Sequence, residues 1–367
     1  MALDIASIGE RARQAVPLER LMQNVGILVR SSGAVQTDDQ SASNGNSEAQ
    51  ENDPEATPEQ SDKPEANTKH YTADENIPLR ARMNAWWHGD IINQDAAPHT
   101  SADVETVSPI EMTRWTERRI EVVEFLWGNG FLEPGGAAGV RKLFLHVMPN
   151  SKQSVLDLTT GLGGTAFTLA HDQNLWMDAL EWDEVLSAEA NRSANTGGLG
   201  DQVPVGNLSL DAIDIAQKKY NLIYSRERLF TVAEKIELLT AAAEGLRTGG
   251  NLVITDLVLT GTDRLDTDGF RNWVRSEPIT PHPWTMALYV KTLKELGLAV
   301  VTRQDSTEQY LSEIRFGWQK AVKLLENGEF NLKLGDQLLA EGKVWSGRTA
   351  ALEGGDLALC RLIARRP

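Results

Sequence analysis

Apolar residues recur at two spacings along this chain, and the alternation between the spacings predicts its architecture. Residues 116–127, 137–147 and 234–246 return an apolar side chain every three or four positions, the period of a helix with one buried face. Short apolar runs of strand length lie at 154–158, 176–181, 202–205, 221–225, 251–256, 299–304 and 356–364. The runs alternate with helical stretches, without a second cycle and without internal repeats. This predicts one α/β domain, a doubly wound, seven-stranded, mostly parallel sheet with helices on both faces. Such a sheet binds its ligand beyond the carboxyl ends of the strands, where the strand order switches.

The pattern fails upstream. Residues 1–30 place Ile5, Ile8, Leu18, Leu21, Met22, Val25 and Leu28 at mostly helical spacing with a break at Pro17, an amphipathic segment suited to docking on a protein partner. Residues 31–76 hold almost no large aliphatic side chain and many acids, with Pro54, Pro58 and Pro64 among them, so this linker is predicted to be disordered. Residues 77–111 form a short extension that carries Trp86 and Trp87, and residues 112–367 make up the α/β domain.

Charge narrows the partners. The chain carries 52 acidic and 36 basic residues, a net charge of -16, much of it in the linker, which argues against nucleic-acid binding. Its single cysteine, Cys360, rules out a disulfide within the chain and reads as a small buried hydrophobe. With no signal-peptide pattern and no apolar run long enough for a transmembrane segment, a cytoplasmic protein is expected. No Cys/His cluster has metal-ligand spacing, so no metal is expected.

The strongest local signal is the run Val155-Leu156-Asp157-Leu158-Thr159-Thr160-Gly161-Leu162-Gly163-Gly164, a strand that enters a glycine-rich turn and then a helical stretch. Glycines there let the backbone approach a nucleoside, and Asp157 stands at the strand end to orient polar groups. Glu181 closes the next strand, where an acid can accept hydrogen bonds from ribose hydroxyls or be a plain strand-end charge.

Several separated segments together resemble the phosphoethanolamine N-methyltransferases. They are Trp115-Thr116-Glu117 with Phe125 to Gly136, Leu222 to Glu227, Ile254-Thr255-Asp256, Asp305 to Leu311 and the closing 357–365. The resemblance covers roughly two thirds of the chain and implies a Rossmann-like class I methyltransferase domain that uses S-adenosylmethionine. It implies a nucleoside site of Leu132, Asp157, Gly161, Gly163, Glu181, Trp182, Asn207, Leu208, Ser225 and Arg226.

The departures from the family are informative. Thr159 stands where the family has the first glycine of the turn, and Asn207 where it has an aspartate. The tyrosine and histidine of the family's catalytic pair correspond to Trp115 and Thr231, neither of which titrates near neutral pH. Glu227 keeps the family's acid and is the remaining proton acceptor or amine orienter, with His282 in the Pro281–Pro283 turn as a further candidate. The phosphate-binding tyrosines and arginine correspond to Leu257, Trp273, Glu277 and Ile279, beside Asp256 and Trp284. A glutamate in place of an arginine repels phosphate, so the expected acceptor is a small or lipid-like molecule other than phosphoethanolamine. Two readings stay open: a methyltransferase with a changed acceptor, or a non-catalytic scaffold that keeps the fold.

Overall fold

The computed structural model describes residues 115–367, together with the backbone of Tyr71–Thr72 and Ile92–Asn93, which pair in parallel. The docking segment, the acidic linker and the tryptophan pair expected from the sequence lie outside the described residues.

The sheet has seven strands: β1 Val155–Asp157, β2 Met177–Glu181, β3 Val205–Asn207, β4 Tyr220–Arg226, β5 Leu246–Leu259, β6 Ala299–Asp305 and β7 Leu357–Arg365. Their order is β3-β2-β1-β4-β5-β7-β6, parallel except for β7, which runs antiparallel between β5 and β6. The chain moves outward from β1 to β3 and then returns to place β4 against the other side of β1. The carboxyl ends of β1 and β4 therefore meet at the switch point.

Two strand boundaries differ from the sequence pattern for physical reasons. The run at 202–205 predicts a strand there, but the ladder begins at Val205, because Pro204 has no N–H to donate and serves only as an acceptor, for Ala179 at 3.3 Å. The run at 251–256 lies within a 14-residue strand: β7 pairs with it continuously from Asn251 to Leu259, and its start is held by the pairing of Leu246 with Tyr220 of β4.

Among the described residues nine helices flank the sheet: α1 Glu117–Trp127, α2 Gly136–Phe144, α3 Gly164–Gln173, α4 Glu184–Thr196, α5 Lys235–Gly245, α6 Asp268–Ser276, α7 Met286–Glu295, α8 Thr307–Glu326 and α9 Gly335–Glu353. Capping fixes several of their starts. The Thr116 hydroxyl accepts from Arg119 N at 3.2 Å, Asp183 from Val185 N and Leu186 N, and Thr267 from Phe270 N. No described helix is long and apolar enough to cross a membrane.

The core divides by strand alternation. Leu156, Ile223, Leu252, Ile254 and Leu362 pack with Leu239 of α5 and Tyr289 of α7 on one face. On the other face, Tyr224 meets Phe144 of α2 edge-on at 5.0 Å. The α1 helix docks on α9 through Trp127 against Trp345 at 4.5 Å and through the buried pair of Arg119 with Glu341.

The start of α3 is held by a backbone contact: Gly164 N donates to Gly130 O at 2.7 Å, and a Cβ at Gly164 would lie 2.5 Å from that oxygen. Backbone cannot yield as a flexible side chain does. Gly164→Ala is expected to cost about 1–3 kcal/mol, read as a lower urea midpoint with an unchanged slope.

Candidate functional site

At the switch point β1 ends in Asp157, and the chain turns through 159–164 into α3. Gly161 and Gly163 have φ of +58° and +93°, a region closed to most side chains. Asp157 is buried and doubly bonded: one oxygen accepts from Thr159 N at 3.0 Å, the other from the Tyr224 hydroxyl at 2.7 Å. Burial pushes its carboxyl up to about 7 against the pull of those two bonds. Thr159 is tied to β4, its hydroxyl accepting from Arg226 N at 3.0 Å and lying 3.3 Å from Ser225 Oγ.

The acid ending β2 is fully engaged within the chain. Glu181 is 0% exposed; one oxygen accepts from Gly161 N at 2.7 Å, the other from Asp183 N at 3.0 Å and from the Arg228 guanidinium at 3.1 Å. Arg228 lies over the Trp182 ring at 4.9 Å. Every residue from Thr159 to Gly164 is buried, and Leu132 Cδ1 would be 2.8 Å from a Cβ on Gly161. The Thr160 hydroxyl, inside the turn, has no hydrogen-bond partner among the described residues. At the end of β3, Asn207 is exposed, whereas Leu208 is buried and its N–H donates to Glu181 O.

Next to this turn sits a buried charge cluster. The Arg226 guanidinium donates to Pro134 O, to Thr165 Oγ1 at 3.3 Å and to Glu227 at 3.4 Å. Glu227 has φ of +53°, unusual for a residue with a side chain, and its N–H donates to Thr255 O at 2.6 Å. Burial raises Glu227, and Arg226 and the Tyr310 hydroxyl oppose the rise. Burial also lifts Glu133 to about 8; Arg226 pulls it back and Glu227 pushes it further up.

The acceptor-side positions are packed. Leu257 and Trp273 are fully buried. Trp273 Nε1 donates to Glu277 at 2.6 Å, and Arg348 of α9 grips the same carboxylate with two bonds at 2.6 and 2.8 Å. Arg348 also lies over the Phe230 and Trp345 rings at 5.4 and 4.6 Å. Asp256 accepts from Phe230 N at 3.0 Å and from the Tyr289 hydroxyl at 2.8 Å; burial pushes it up to about 7 and brings the neighbouring Lys235 down to about 8.

The structure thus gathers Asp157, Gly161, Gly163, Glu181, Trp182, Leu132, Ser225, Arg226 and Glu227 around the ends of β1, β2 and β4. Others are placed differently. Trp115 stacks on Arg119 at 4.1 Å, the Thr231 hydroxyl is used on Arg228 O at 2.8 Å, and Ile279 is exposed. Sequence reasoning missed Arg228, Glu133, Arg348 and Tyr310. Arg228 carried a usable signal, a basic residue directly after the Ser225–Glu227 motif; Arg348 carried none, lying 71 residues from Glu277.

No family model matches the chain. It is 24% identical over 234 residues to the phosphoethanolamine N-methyltransferase of Plasmodium falciparum, covering 61% of this chain and 82% of that one. Another relative is the sarcosine/dimethylglycine N-methyltransferase of Aphanothece halophytica, 26% identical over 159 residues, 43% of this chain and 56% of that one. The chain spans only 37% of the length of the phosphoethanolamine N-methyltransferase 1 of Zea mays. Among solved structures, the Haemonchus contortus phosphoethanolamine N-methyltransferase 2, in complex with phosphomonomethylethanolamine and S-adenosylhomocysteine, superposes with a TM-score of 0.62 at 17% identity. That match covers 69% of this chain and 58% of the other. The domain has the class I methyltransferase fold and resembles the phosphoethanolamine N-methyltransferases.

Asp157 binds its proton more tightly in the folded chain than in the unfolded one, where its ordinary value is 3.8. Its contribution to stability is therefore present at low pH and is lost as pH rises from about 4 to about 7. Asp157→Asn keeps an acceptor for Thr159 N without this loss. Unfolding free energies of the two proteins should diverge in favour of the variant by about 2–3 kcal/mol between pH 5 and pH 8; a gap that does not change with pH refutes the assignment.

Proposed function

We propose that the chain is an S-adenosylmethionine-dependent methyltransferase acting on a small acceptor other than phosphoethanolamine, and that its donor site opens when Arg228 leaves Glu181. One observation carries the reading: the glycine turn and the acid of β2 meet at the switch point, joined by the bond from Gly161 N to Glu181. The residues fit an adenosyl group in type and place. Thr160 offers an unpartnered hydroxyl inside the turn, and the obstructing Leu132 contact is the far end of a flexible side chain.

Glu181 would hold the ribose, Trp182, Asn207 and Leu208 would border the adenine, and Gly161, Gly163, Ser225 and Arg226 would surround the methionine portion. S-adenosylmethionine, when bound, supplies a methyl group on a cationic sulfonium. Around Arg226 the chain places the acids Glu133 and Glu227, a balance that favours a cation once Glu133 is ionised. Glu227 is suited to orient an amine acceptor or take its proton. Phosphate is disfavoured, because Arg348 is already satisfied by Glu277.

A second reading has its own support. The buried turn and the self-satisfied Glu181 are also what a scaffold with a closed site would present. The two readings separate by calorimetry on the full chain. The methyltransferase reading expects S-adenosylmethionine to bind, with Arg228→Ala tightening binding by about tenfold as Glu181 is freed. It also expects affinity for S-adenosylmethionine, relative to S-adenosylhomocysteine, which lacks the sulfonium charge, to rise with pH through about 8 as Glu133 ionises. An absence of heat from both wild type and Arg228→Ala at high protein concentration leaves only the scaffold.

A further inference from the structure

A second polar cleft lies on the face of the sheet that carries Tyr224, between α2 and α8. The strand register aligns Arg226 of β4, Thr255 of β5, Arg361 of β7 and Gln304 of β6 in one row across four neighbouring strands. Residues opposite one another in register share a face, so these four side chains form the cleft floor. Glu227 and Tyr310 complete the buried wall, and the enclosed volume is about 70 Å³.

Arg226 and Glu313 of this cleft are bonded within the chain and the Tyr310 hydroxyl acts on the Glu227 carboxylate, but several polar atoms lack an aligned partner. Glu227 Oε2, Thr255 Oγ1, Tyr310 Oη and Arg361 Nε are all buried and make no aligned hydrogen bond among the described residues. Glu227, Thr255 and Tyr310 are 7%, 5% and 2% exposed. Four orphan polar atoms on one small cavity are expensive unless something pairs with them. Arg361 makes no ion pair among the described residues; its one hydrogen bond is to Leu143 O, and burial lowers it from its ordinary value with no charge offsetting the loss. On the other side of the cleft stand two acids, Glu227 and Glu313. The cation and the acids are separated by two strand spacings, roughly 10 Å of backbone.

We propose that this cleft binds a small zwitterionic amino acid, its carboxylate on Arg361 and Thr255 and its ammonium on Glu227 and Glu313. Size and charge select this occupant together. At roughly 10–15 Å³ for each water-sized occupant, the volume holds about five to seven of them, room for a molecule as small as glycine. A simple anion would bring no donor to Glu227 Oε2, and a simple amine would bring no acceptor to Arg361 Nε. The cleft shares Arg226 and Glu227 with the proposed methyltransferase site, whereas Arg361 and Thr255 belong to the cleft alone.

The test is calorimetric titration of the full-length protein with glycine, with acetate and methylammonium as half-molecule controls. Saturable glycine binding is expected, with either half-molecule at least about tenfold weaker. Arg361→Gln should weaken glycine binding by about tenfold or more. Because that change also removes the bond to Leu143 O, Thr255→Val provides a second measure. It is nearly isosteric, removes an orphan hydroxyl, and should leave the thermal midpoint equal or higher while weakening glycine several-fold. No saturable binding, which indicates a water-filled cleft, overturns the proposal. So does acetate binding as tightly as glycine, or glycine binding unchanged in both variants. Loss of glycine binding with donor binding intact would sink this site and spare the methyltransferase reading.

Discussion

A guanidinium buried where two parallel strands end side by side must be matched by acceptors, and Arg226 organises its surroundings through that requirement. It draws Pro134 O and Thr165 inward, fixing the turn before α2 against the start of α3. Its own backbone N–H holds the Thr159 hydroxyl, so a β-branched residue is accommodated in a glycine turn. It also offsets part of the burial cost of Glu227 and Glu133. A buried ion is weak grounds for stability, since desolvation consumes most of the attraction. What the cluster provides is a fixed arrangement of charge at the point where the fold places ligands.

Two ion pairs then reshape what the site can receive. Arg228 on Glu181 supplies from within the chain a hydrogen bond that, in the proposed function, a ribose would otherwise make. Arg348 on Glu277 neutralises a charge that, left alone, would be both repulsive to phosphate and costly to bury. Glu277 stands after α6, where the family resemblance implies an arginine, and an arginine reaches it from α9. Arg348 is thereby committed to that carboxylate.

The fold was largely legible because it is written in local periods. The runs at 154–158, 176–181 and 221–225 fall within a residue or two of β1, β2 and β4, and the glycine turn follows β1 as expected. The positions of Asp157, Glu181, Asn207 and Arg226 were legible for the same reason, each closing a strand. The acceptor side was not. Glu277 reads as a lone charge until Arg348 is brought to it over 71 residues, and Trp273 reads as pocket lining until its full burial is seen. Orphan atoms such as Arg361 Nε have no sequence signature, because satisfaction is a property of neighbours and not of residue type.

The place of β7 between β5 and β6 bears on how the chain reaches this state. Pairs such as Thr255 with Arg361 join residues more than a hundred positions apart, so β5 must wait with an unpaired edge while α6 to α9 are laid down. That edge is long and rich in buried apolar positions, the kind of strand that invites pairing with another molecule. Self-association of incompletely folded chains, rather than loss of the finished native state, is then the main hazard during refolding, and dilution should relieve it more than added stabiliser.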